Sequence, residues 1–314
     1  MKVFSNIVFN IGLGSLIIFG LLITGACTAD DSVSSDTSLE DRGYASTARL
    51  VSTDWVNENL DNENVVIIDI RNGDDYAAGH LPGAINYDKS ELQVERDGVK
   101  GVIPSEGEIA AKLSALGVSS TDTIIIYDHI KNLWSTRFLW TLDVYGHEDA
   151  RMMDGAIALW ESEGKEITTD VPNISASSYE FTGEPKPGLV ASLDDTLATI
   201  GDPNKLVVDT RSADEYAGRD VRAERGGHIP ESVHVEWTQN HAEDGTFLSA
   251  SELREIYTAA AVGVDQEIYT LCQTAVRATD SWFVLSDLLG YDNVVVYDGS
   301  WTEWGNREDT PIDS

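Results

Sequence analysis

The chain has 314 residues, with 54 Asp and Glu against 21 Lys and Arg and a formal net charge of −33. That balance argues against nucleic-acid binding, which calls for a basic face on the protein. A hydrophobic share of 42% is enough for a packed core in two domains or one large one. Charged residues are only 24% of the total, so the acidity reflects scarce bases rather than crowded charge, as on the solvated surfaces of proteins that work in high salt.

Residues 1–26 have the pattern of a secretory signal: Lys2 near the start, an apolar stretch from Ile7 to Ile23 and small residues after it. Gly12, Gly14 and Gly20 inside that stretch, and the acidic segment behind it, favour a removed or anchored leader over a bundled membrane span. The end of the segment, Ile23-Thr24-Gly25-Ala26-Cys27, resembles a bacterial lipobox, in which the cysteine receives lipid. The alternatives are ordinary cleavage after Ala26 or Ala29, or an uncleaved anchor. The expectation is an exported, periplasmic or envelope protein held by lipid on Cys27. Residues 27–46 are small, polar and acidic, which suits a flexible tether. With Cys27 acylated, Cys272 is the only thiol left, and a lone thiol is either buried and inert or reactive.

Two globular segments follow, 47–168 and 189–314, separated by a linker or crossover arm over 169–188 that is rich in Pro, Ser, Gly and Thr. In chain order, Val65–Asp69, Thr123–Tyr127, Leu206–Asp209, Gln266–Leu271 and Asn293–Tyr297 read as short buried strands. Helical patterns lie between them, for example Glu106–Leu116 and Ser251–Ala261. Unbroken β-branched runs between helices imply parallel strands covered on both faces, so the class is α/β.

The two segments repeat each other. Asp69-Ile70-Arg71 and Tyr76 match Asp209-Thr210-Arg211 and Tyr216 at an offset of 140. Gly79-His80-Leu81-Pro82 matches Gly227-His228-Ile229-Pro230 at 148, so the second copy carries eight extra residues between these motifs. Gly146, Asp154-Gly155 and Trp160 recur as Gly290, Asp298-Gly299 and Trp304 at 144. Projected back by 144, Cys272 falls on Asp128, so only the second copy can use a thiolate there.

Cys272 directly follows an apolar strand. Gln273-Thr274-Ala275-Val276-Arg277 come next, then a helical pattern over Ala278–Leu289. The amides of such a strand-to-helix loop can converge as an anion nest, and the helix amino end adds positive potential, both of which stabilise a thiolate. Arg277 closes the loop with a cation suited to sulfur-bound or carboxylate oxygens. The plainer alternative is a buried strand-end cysteine with an arginine paired elsewhere; the strand-to-helix context and the duplicated frame favour the reactive reading.

Taken together, these motifs resemble a tandem-domain rhodanese of the thiosulfate and 3-mercaptopyruvate sulfurtransferase family. They are Asp69-Ile70-Arg71, Gly79-His80-Leu81-Pro82-Gly83-Ala84, Asp209-Thr210-Arg211, Gly227-His228-Ile229-Pro230, the Cys272–Arg277 loop and Tyr297-Asp298-Gly299-Ser300-Trp301-Thr302-Glu303-Trp304-Gly305. The resemblance spans about residues 47–312. It implies two rhodanese-like domains, a silent first copy with Asp128 at the cysteine position, and a Cys272 nucleophile that takes sulfane sulfur as a persulfide. The loop amides from Gln273 to Arg277 would hold that persulfide, and a thiophilic acceptor such as cyanide or a thiol would remove it. Phosphatases of this fold separate Cys and Arg by five residues; here four intervene, so phosphatase chemistry is disfavoured.

Thiosulfate is the first choice of donor, with 3-mercaptopyruvate, or a non-catalytic sulfur-binding module, as the alternatives. Ala275 replaces the family's usual Gly, and Glu215 stands where many relatives have Arg. Arg219, Arg222 and Arg225, within the insertion of the second copy, are candidate anion contacts, Arg225 being the one assigned to the donor. Asp69–Arg71 and Asp209–Arg211 recur in both copies and read as structural pairs; His80 and His228 read as turn-orienting residues. No metal or other cofactor is expected, no nucleic acid, no membrane contact beyond the anchor, and a monomer.

Overall fold

The computed structural model describes residues 38–314; the leader, Cys27 and the first part of the tether lie outside the described residues. The first repeat runs β1 (Leu50–Val51), α1 (Thr53–Glu58), β2 (Val65–Asp69), α2 (Gly73–Ala78), β3 (Ile85–Asn86), β4 (Val94–Arg96), β5 (Val99–Val102), α3 (Glu106–Ala115), β6 (Thr123–Tyr127), α4 (Leu133–Tyr145), β7 (Ala150–Met153) and α5 (Ala156–Ser162). The second runs β8 (Val190–Ala191), α6 (Leu193–Leu197), β9 (Lys205–Asp209), α7 (Ala213–Tyr216), β10 (Val233–His234), α8 (Ala250–Ala259), β11 (Glu267–Leu271), α9 (Val276–Phe283), β12 (Val294–Tyr297) and α10 (Ser300–Trp304).

Each repeat builds a five-stranded parallel sheet, in the orders β1-β7-β6-β2-β3 and β8-β12-β11-β9-β10. The central strands are short apolar runs, β-branched in β2 and β6, and their last residues are buried because helices cover both faces. Register pairs Asp69 with Tyr127 and Asp209 with Leu271. The next residues, Asp128 and Cys272, therefore open equivalent loops at the carboxyl edges of their sheets, where α/β folds place ligands.

The Asp–Arg pairs fix those edges. Arg71 and Arg211 each fork onto the carboxylate two residues earlier, at 2.6 Å, and also donate to the carbonyl of Gly79 or Gly227. His80 and His228 stack on Tyr76 and Tyr216 at 3.8 and 3.9 Å and bond the carbonyl of the same tyrosine, so each closes a turn.

One hydrophobic cluster runs through both repeats, from Ile68, Ile126 and Trp140 to Val208, Ile268 and Trp282. At its centre α4 packs on α9, with the hydroxyls of Thr136 and Thr279 3.4 Å apart. The helix after the cysteine loop starts at Val276, two residues earlier than its sequence pattern suggests, and passes into a π-turn over Val284–Leu288. The segment over 169–188 is an extended arm clamped to the first repeat: Ser177 N donates to Ser114 O, Lys186 N to Val144 O, and the Tyr179 ring is buried.

Candidate active site

Cys272 is 1% exposed, at the first position after β11. Its carbonyl accepts from Trp301 N at 3.0 Å, and its amide donates to Ser300 Oγ at 3.3 Å. Ala275 caps α9 in the left-handed region, at φ +62°, and its amide reaches the same Ser300 oxygen at 3.1 Å. Ser300 Oγ in turn donates to Tyr297 O at 2.8 Å. A single hydroxyl thus ties both ends of the Cys272–Ala275 turn to the end of β12. The flanks of the loop are held as well: Gln273 O accepts from Thr302 N at 3.0 Å, and Gln273 Nε2 donates to Arg222 O at 3.0 Å. Among the described residues, no acceptor takes the amides of Gln273, Thr274, Val276 or Arg277. Convergent loop amides without protein partners mark a place for an anion or for water.

The first repeat shows the same loop already filled. Asp128 Oδ1 accepts from the amides of Ile130 and Asn132 at 2.8 and 3.0 Å. Its Oδ2 accepts from those of Trp134 and Ser135 at 2.7 and 3.2 Å. Burial pushes the Asp128 carboxyl above its ordinary range, against the pull of these amides. Asn132, at φ +63°, caps α4 as Ala275 caps α9, one residue further along its loop, and Ala156 takes the place of Ser300. This copy needs no external hydroxyl, because its own carboxylate orders the loop.

Arg277 lies beside the sulfur, but it is already paired. Its Nη1 and Nη2 donate to Glu215 Oε2 and Oε1 at 2.6 and 2.8 Å. Burial opposes its charge, and Glu215 together with the Cys272 sulfur more than offsets that, holding the guanidinium pKa above its usual value. Glu215 also accepts from Ser212 N and Oγ at 3.1 and 3.0 Å, as the third residue of the α7 capping box. Burial acts against its charge too, yet the Arg277 fork and Ser212 bring its pKa down to about 2.

The three insertion arginines separate. Arg219 pairs with Asp214 at 2.6 Å. Arg222 pairs with Asp220 at 2.7 Å and stands 3.7 Å from Glu215. Arg225, an expected donor contact, has its guanidinium committed to Thr310 O and Oγ1 and Trp304 O, where it pins the carboxyl-terminal tail.

The first repeat roofs this site. A Cβ built on Gly101, in β5 at φ +86°, would lie 2.6 Å from Thr274 Cβ. Gln93 Nε2 donates to Thr274 O at 3.2 Å, and Thr302 Oγ1 to Lys100 O at 2.9 Å. Fully buried Arg137 bridges Asp298 Oδ1 at 2.9 Å and Gly101 O at 3.1 Å. Sequence reasoning missed Ser300, Gln93, Gly101 and Arg137. For Ser300 a signal was present, since the internal repeat changes from Asp154-Gly155-Ala156 to Asp298-Gly299-Ser300.

The Rhodanese-like domain family matches residues 52–163 and 192–307. A protein of Saccharopolyspora erythraea named "Putative thiosulfate sulfurtransferase" is 39% identical over 277 residues, covering 84% of this chain and 96% of its own. The "Sulfur carrier protein TtuD" of Thermus thermophilus is 37% identical over 287 residues, covering 86% and 98%. Among solved structures, the anaerobic ergothioneine biosynthesis enzyme of Chlorobium limicola superposes with a TM-score of 0.77 over 86% of this chain and 71% of its own; at 24% identity this is a likeness of fold.

Proposed function

This chain is a tandem member of the rhodanese family of sulfurtransferases and sulfur carriers, and on that footing we propose that its second domain moves sulfane sulfur from thiosulfate to a thiophilic acceptor, cyanide or a thiol, through a persulfide on Cys272. The observation that carries this reading is the contrast between the loops: four amides of the first are occupied by Asp128, while those of Gln273, Thr274, Val276 and Arg277 are open beside a thiol.

In the first half-reaction the Cys272 thiolate attacks the outer sulfur of thiosulfate. The S–S bond of the donor breaks and sulfite leaves with its electron pair. The new Cys272 persulfide carries one negative charge, which the open amides of Gln273–Arg277 stabilise. In the second half-reaction the acceptor attacks the terminal sulfur, and the thiolate is restored as leaving group. No external oxidant is needed, and the two steps give ping-pong kinetics.

The test is to incubate the mature domains with thiosulfate, look for one added sulfur on Cys272 by mass spectrometry, and follow thiocyanate after adding cyanide. Loading from 3-mercaptopyruvate alone would replace the donor. Loading without turnover would make the protein a carrier, the role for which the Thermus relative is named. A Cys272→Ser variant with full activity would sink the mechanism. Export and lipid on Cys27 belong to the same proposal, as do a small anionic donor as partner and a monomeric state; the mass of the amino-terminal peptide from membranes tests the anchor.

A further inference from the structure

Resting on the Cys272 reading above, we infer that Glu215 is a specificity-determining residue: by occupying the Arg277 fork it turns away donors that carry a separate carboxylate and leaves the site to donors whose charge sits next to the transferred sulfur. Glu215 is 1% exposed and fixed by the Ser212 capping box, so its carboxylate cannot swing aside. Both terminal nitrogens of Arg277 are bound to it, at 2.6 and 2.8 Å. That two-pronged face is the one a carboxylate donor would seek, since paired N–H groups match paired oxygens. An α-keto acid bearing a thiol therefore meets an occupied fork and a second buried negative charge. Thiosulfate places its oxygens on the atom bonded to the outgoing sulfur, within reach of the loop amides, and needs no fork.

Arg222 moderates this. Its side chain is 52% exposed and lies 3.7 Å from Glu215, and its carbonyl holds Gln273. It is the insertion arginine next to the Glu215–Arg277 pair, the other two being committed to Asp214 and to the tail.

Two measurements on the full folded chain test the inference. The first compares alkylation of Cys272 by anionic iodoacetate and by neutral iodoacetamide, which needs no turnover. Glu215→Gln keeps the capping box, which accepts Glu or Gln, and should raise the iodoacetate-to-iodoacetamide rate ratio about tenfold as one buried negative charge is removed. Arg222→Gln should lower the same ratio, and decides the matter if the first variant does not fold. The second measures kcat/KM for 3-mercaptopyruvate relative to thiosulfate, which should rise about tenfold in Glu215→Gln for the same loss of charge. Folded variants with unchanged ratios would overturn the assignment of Glu215 while leaving persulfide chemistry intact. A wild-type protein that takes sulfur from neither donor would instead remove the sulfur-transfer reading, and the alkylation ratio would still decide for or against Glu215.

Discussion

Ser300 Oγ accepts the amide hydrogen of Ala275 at 3.1 Å, and so holds a residue with a Cβ at φ +62°. The left-handed region costs an L-residue about 1–2 kcal/mol, comparable to what one or two buried hydrogen bonds contribute. A loop that leaves its amides open for a substrate has no internal anion to order it, as Asp128 orders the other copy. Ser300 supplies that order from behind, through the amides of Cys272 and Ala275.

Ser300→Ala should therefore destabilise the fold by about 1–3 kcal/mol, since two buried amides lose their acceptor, and should slow sulfur loading of Cys272 about tenfold or more through loss of loop geometry. Ala275→Gly should by itself stabilise by about 0.5–1 kcal/mol, because glycine adopts positive φ freely. In the double variant the loading defect should be smaller than in Ser300→Ala alone. Thermal unfolding and the time course of the mass gain check both; a defect untouched by glycine would show that Ser300 does not act through Ala275.

Removing the built-in anion of the first copy should be a matter of stability rather than chemistry. Asp128→Ala leaves the amides of Ile130, Asn132, Trp134 and Ser135 without their acceptor, which should cost roughly 2–4 kcal/mol after water enters the site. Loading of Cys272 from thiosulfate should stay close to wild type at temperatures where the variant is folded. A stability change near zero in urea unfolding would contradict the account of the filled loop.

Glu215 predicts a pH dependence of defined sign. Its folded pKa of about 2 lies below the ordinary carboxylate value, so the Glu215–Arg277 pair stabilises fully above that ordinary value and is lost as pH falls toward about 2. The pair should contribute roughly 2–3 kcal/mol near neutrality. The stability gap between wild type and Glu215→Gln should be flat above about pH 5 and close below it. Urea titrations at a series of pH values measure the gap; one independent of pH would show that the ion pair is not its source.

The first domain should affect catalysis although Cys272 is not in it. Gly101→Ala would place a Cβ 2.6 Å from Thr274 Cβ, on a backbone with φ +86°. The clash should destabilise by about 1–3 kcal/mol and lower kcat/KM for thiosulfate about tenfold by shifting the Cys272 loop. The same substitution at Gly98, where nothing lies within 4 Å, shares the positive φ without the clash. It should therefore cost stability with little loss of kcat/KM, and equal losses at both positions would rule out the roof.

What could be read from the sequence divides along physical lines. The strand Val65–Asp69 announced itself by its unbroken β-branched run, and Glu267–Leu271 by an apolar run whose last four residues are buried, as parallel strands covered on both faces require. The duplicated frame then pointed to Asp128 and Cys272 as counterparts. Arg277 was readable as a cation, with pairing elsewhere as the alternative, but its partner was not readable, because Glu215 lies 62 residues away and the register of β9 with β11 brings them together. The roof from Gly101 and Gln93 was invisible for the same reason. The positive φ of Ala275 was foreseeable from the residue it replaces; what sustains it was not, since Ser300 follows a different strand.

The net charge of the chain should make thiosulfate turnover depend on salt. With Arg277 matched by Glu215, little net positive charge stands at the loop, and a chain of −33 should repel a dianion at long range. Salt shortens that repulsion, from a Debye length of about 10 Å at 0.1 M to about 3 Å at 1 M. The buried Glu215–Arg277 pair and the loop amides act at hydrogen-bond distance and are screened far less. The value of kcat/KM for thiosulfate should therefore rise several-fold, roughly, between about 0.1 and 1 M potassium chloride. Alkylation by neutral iodoacetamide should stay nearly flat over the same range. A steep fall in thiosulfate turnover with the fold intact would mean that the donor is drawn in by exposed cations, and would shift the weight of recognition from the loop amides to Arg222.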